Sequence, residues 1–122
     1  MRRRSACLFL MLGVMLFLAG ATTYPGMKSL SGQFNLTGQT PVDPPSSERR
    51  NTRLRLLLTG AVAKELYEHM QVAPVGDACG DPLDQAKIIG EMECVLHHET
   101  GAHECRFAID IAKQKIAGGW AC

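Results

Sequence analysis

No serine of this chain sits in a Gly-x-Ser-x-Gly elbow, and it holds no phosphate loop, dinucleotide fingerprint or haem-attachment motif. Neither sign of charge dominates, with 13 Lys and Arg against 12 Asp and Glu and a formal charge of +1. Binders of nucleic acid or anionic membrane concentrate positive charge on one face, so partners of those kinds are not expected. The only basic cluster, Arg49, Arg50, Arg53 and Arg55, lies beside turn-forming residues, where charge runs face water. The apolar run from Leu8 to Leu18 is too short to span a bilayer.

That run has another reading. Arg2, Arg3 and Arg4 precede it and the small residues Ala19, Gly20 and Ala21 follow it, the order of a secretory signal peptide over residues 1–21. Leu18-Ala19-Gly20 also resembles the end of a lipoprotein signal, but Ala21 stands where the lipidated cysteine would be. The expected product is exported, periplasmic or secreted, with no membrane anchor after cleavage. Removing 21 of 122 residues leaves 101, the size of one domain over 22–122, with 10 Lys and Arg against 12 Asp and Glu.

Cys7 leaves with the signal, and Cys79, Cys94, Cys105 and Cys122 remain. An even count in an exported chain predicts two disulfides, and four cysteines permit three connectivities. The strand pattern favours one of them. Pairing Cys94 with Cys105 across a hairpin leaves His98, Glu99, Thr100 and Gly101 as its loop, with glycine at the turn, which makes Cys79–Cys122 the second bridge.

Along the chain, Leu30, Phe34 and Leu36 alternate with Ser31, Gln33, Asn35 and Thr37, and the period of two predicts a half-buried strand over 30–38. A Pro/Ser-rich stretch around 39–52 follows, read as a mobile surface loop. Arg53 to Thr59 predicts a second strand with Leu54, Leu56 and Leu58 inward. Val62, Leu66 and Met70 then recur every four residues, which predicts a helix with Thr59 as N-cap and Gly60 weakening its start. Pro74, Gly76, Gly80 and Pro82 mark a connecting loop. Two amphipathic strands, 87–97 and 103–111, form the cysteine hairpin, and Ile116 to Trp120 suggests a short fifth strand. The expected fold is α+β, with one helix packed on a small antiparallel sheet of four or five strands, stabilised by disulfides.

His97, His98 and His103, with Glu99 and Glu104 beside them, are the sharpest chemical constellation, because a tight hairpin brings imidazoles from both strands near one cation. Zinc or copper suits such nitrogen ligands, although the spacing matches no defined zinc motif. The plainer reading is a polar loop, with Glu99 and Glu104 as an acidic binding tip. Glu91 and Glu93 evoke a paired-carboxylate hydrolase of an envelope polymer, but carboxylates on a solvent-facing strand are commonplace. Asn35-Leu36-Thr37 is a formal glycosylation sequon, of consequence only in a eukaryotic host.

The Leu58–Tyr67 strand–helix junction, together with the cysteine hairpin, resembles small cysteine-bridged envelope proteins of Gram-negative bacteria, a likeness of style that carries over no functional residue. The expectation from residues alone is a non-catalytic protein, without cofactor, that binds a protein or envelope macromolecule as an inhibitor, immunity-type or envelope-interaction factor. The contact surface is expected at an exposed sheet edge or the acidic hairpin tip. A metal-binding envelope protein and a small hydrolase are the alternatives.

Overall fold

The structure, a computed structural model, describes residues 24–40 and 42–119. The signal peptide and its cleavage site, expected within 1–22, lie outside these residues. The chain is α+β. In order it forms β1 (Gly32–Thr37), β2 (Arg53–Thr59), α1 (Gly60–His69), β3 (Val75–Gly76), β4 (Gln85–Ile89), β5 (Met92–Leu96), β6 (His103–Asp110) and β7 (Lys115–Ala117). All pairings are antiparallel, in the order β1-β2-β6-β5-β4-β3, with β7 beside the C-terminal half of β6.

Among the described residues the sheet has seven strands, which corrects the expected four or five. One reason is a tight turn inside what reads as a single strand over 87–97. Ile89 pairs with Met92, so Gly90 and Glu91 are the whole turn, and Gly90 takes φ +57° at its first position, where L side chains are strained. The other reason is β3, two residues long after Pro74, which is too short to show a period. The short fifth strand expected from Ile116 onward is present as β7. The hairpin register is as expected, with Cys94 opposite Cys105 and Leu96 opposite His103.

Gly60 does the opposite of what its helix propensity suggests. Strand β2 runs into α1 with no connecting residue, and Gly60 makes the corner with φ +65°. Thr59 is the N-cap by position, with extended dihedrals, but its side chain makes no capping hydrogen bond. At the other end Lys87 Nζ donates to the carbonyls of Tyr67 (3.0 Å) and Met70 (3.2 Å), a cation at the negative end of the helix, and it stands 4.7 Å from the Tyr67 ring centre.

α1 lies across β6, β5 and the end of β2. Ala63, Tyr67 and Met70 face Leu58, Cys94 and Cys105, and this buried cluster is flanked by Val62, Leu66, Met92, Leu96 and Phe107. The disulfide Cys94–Cys105 joins paired residues whose Cα atoms are 4.0 Å apart, and both cysteines are fully buried. Cys79 is also disulfide-bonded; its expected partner, Cys122, lies outside the described residues. The 39–52 loop is tied at its base. Glu48 Oε1 accepts from the backbone N–H groups of Gln39 and Thr40, and Gln39 Nε2 donates to Thr52 Oγ1 at 3.2 Å and to the buried Asp110 Oδ1 at 3.3 Å.

Candidate functional site

Strand alternation decides which hairpin residues meet. His103 is opposite Leu96 and so shares the helix-facing side, where its ring packs edge-on against Tyr67 with centroids 5.3 Å apart. His97, one residue beyond Leu96, points to the other side of the sheet. There its Nδ1 lies 2.7 Å from Asp84 Oδ2 and its Nε2 3.5 Å from Glu104 Oε2. His98 joins this group only through its backbone N–H, which donates to Asp84 Oδ1 at 2.8 Å. The side chains of His98 and Glu99 are exposed at the loop.

The expected constellation is therefore divided: His97 and Glu104 come together, His103 packs half-buried against Tyr67, and Glu99 is exposed at the tip, lining a shallow pocket with His97, Asp84 and Asp81. Among the described residues no group of three or more His, Cys, Asp or Glu is disposed to hold a metal ion. Zinc or copper at His97 would compete with Asp84 and Glu104 for the ring nitrogens.

Sequence reasoning missed the residues that organise this side of the sheet. Arg106, almost wholly buried, donates from Nε to Glu93 Oε2 at 2.8 Å and from Nη2 to Asp77 Oδ1 at 3.1 Å, and its Nη1 lies 3.8 Å from Glu104 Oε1. Asp84, His97, Glu104 and Arg106 thus alternate acid and base, and Arg106 branches to both Glu93 and Asp77, so the network pins the 77–84 loop to the sheet. An arginine amid the apolar alternation of β6 was the one available signal, since it must find carboxylates if its strand is covered on both faces.

Electrostatics follow from these contacts. Burial alone would lower the His97 pKa, but the hydrogen bond with Asp84 and the charges of Glu104 and Asp84 outweigh it and hold the imidazole above its ordinary value. The Asp84 carboxyl is held below the usual range by the His98 N–H first and His97 second. Such a group can bind and release a proton. Both carboxylate oxygens of Asp84 and both ring nitrogens of His97 are engaged in these contacts.

The helix side of the sheet offers a different kind of site. α1 covers the β5–β6 half and the end of β2, and leaves the helix-side face of β1 exposed. Pairing aligns two apolar rows there, Leu36–Leu54–Ile109–Ile116 and Phe34–Leu56–Phe107. Phe34 is 74% exposed, Leu36 52% and Ile116 50%. No charged residue stands in either row, and β1 has none at all. The contact surface was expected at an exposed sheet edge or the acidic hairpin tip; these rows lie instead on the face of the sheet beside the edge strand β1. Side chains at Gln33, Asn35 and Thr37 alternate to the opposite face, so Asn35 points away from the apolar rows. Compared with protein-family models, with curated proteins and with solved structures, the chain matches none.

Proposed function

We propose that this chain is a non-catalytic binding protein, exported to the periplasm or secreted, that recognises another protein through the bare apolar half of its sheet. The observation that carries this reading is the pair of uncharged apolar rows beside α1, whose outer members Phe34, Leu36, Ile109 and Ile116 are exposed. Monomeric proteins rarely leave such contiguous surface without use for it. An apolar face without cations offers nothing to a phosphate backbone or an anionic headgroup, which favours a protein partner. The buried disulfide suits an oxidising compartment. Among the described residues no helix is long and apolar enough to cross a membrane.

The test is recovery of a stoichiometric protein partner from an envelope extract, repeated with an Ile109→Ser, Ile116→Ser variant whose circular dichroism matches the parent. Loss of the partner in the variant supports the reading. Retention overturns the assigned surface. Turnover of an envelope polymer by the purified protein, or one tightly held metal per chain, overturns the reading in favour of a hydrolase or a metal-binding protein.

A further inference from the structure

We propose that β1 pairs edge to edge with β1 of a second copy of this chain, forming a two-fold dimer with one continuous sheet. The proposal goes beyond the binding reading, because it concerns the backbone edge of the sheet and not its apolar face.

Hydrogen-bond parity identifies the free groups. The Thr59 N–H donates to the Ser31 carbonyl at 3.0 Å, and the Thr52 N–H donates to the Thr37 carbonyl at 3.1 Å. Odd-numbered residues of β1 therefore turn their backbone groups toward β2. The N–H and C=O groups of Gly32, Phe34 and Leu36 point outward, and among the described residues no strand pairs with that edge.

These outward residues are spaced symmetrically about Phe34. A two-fold axis at Phe34 puts it opposite its own copy and puts Gly32 opposite Leu36, and the three resulting pairs satisfy every outward group on both strands. The same register sets Gln33 opposite Asn35 twice, and each amide can both donate and accept. Because β1 carries no charge, no like-charge pair opposes the contact. Both apolar faces then lie on the same side and merge across the axis. The strand also lacks the usual guards against pairing: it has no Lys, no Pro and no bulge in its ladder with β2. The opposite edge of the sheet differs, since β3 has two residues and follows Pro74.

The register provides its own control. Sedimentation equilibrium of the purified full-chain product is expected to give twice the monomer mass at micromolar concentration. Gln33→Lys with Asn35→Lys places lysines opposite each other at two positions and is expected to weaken dimerisation at least tenfold. Gln33→Glu with Asn35→Lys places opposite charges there and is expected to restore it. A monomeric parent, equal dimerisation of the two-lysine variant, or failure of the opposite-charge variant to recover would each overturn the pairing. Partner recovery by the Ile109→Ser, Ile116→Ser variant is read separately, so failure of the dimer and failure of the binding reading are distinguishable.

Discussion

The two ends of one sheet are finished differently. At the β5–β6 end α1 covers one face, the 77–84 loop covers the other, a disulfide ties β5 to β6, and a buried arginine holds the loop to the sheet. At the β1–β2 end the helix-side face is bare, and the outermost strand carries neither charge nor proline. Stability is concentrated where the surface is closed, which frees the open end to be apolar without being needed for the core. Substitutions should therefore hurt the fold at one end and recognition at the other.

The largest effect is expected at Arg106. Its side chain is 8% exposed, and Arg106→Met would leave Asp77 and Glu93 without their cation in a covered site. Removal of one partner from a buried ion pair costs about 3–5 kcal/mol, measurable as a lowered urea midpoint. Next comes the disulfide. Cys94 and Cys105 are separated by 11 residues, and their joint replacement by alanine should cost about 3 kcal/mol by the same measurement.

A smaller effect, of no more than about 1 kcal/mol, is expected from pH, because His97 is partly exposed and its charges are screened. Its folded pKa is raised, so the protonated imidazole's contribution is fully present below about pH 6.5 and is lost as pH rises through the folded value. His97→Gln should flatten that part of the stability profile. The smallest effect is expected from Ile116→Ser at the open end, within about 0.5 kcal/mol of the parent, since half of that side chain is already in water. A loss as large as that at Arg106 would erase the distinction between the ends.

Much of the closed end was legible in the residues. The Cys94–Cys105 constraint and Gly101 together set the hairpin register, and the four-residue period of Val62, Leu66 and Met70 marked the helix. The β4–β5 turn was hidden because a two-residue reversal leaves apolar residues on both sides of Gly90, so the run over 87–97 still looks like one amphipathic strand. The charge chain was hidden for a different reason. Asp77 and Asp84 sit in a loop without periodicity, and only its folding onto the sheet brings them to Arg106 and His97. The bare face was half legible: Phe34 and Leu36 announced an apolar side, but nothing local says that a ten-residue helix is too short to cover it.

The place of β6 in the sheet also bears on how the chain is made. β6 is hydrogen-bonded to β2 on one side and to β5 and β7 on the other, and it supplies the main support for α1. It occupies residues 103–110, so β1, β2 and α1 leave the ribosome well before the strand they need. During that interval the apolar sides of β2 and α1 have only each other, while β4, β5 and β6 can zip together through short turns as soon as they emerge. Synthesis thus delivers β1, β2 and α1 before their organising strand, and their apolar sides stay without that support until β6 is made.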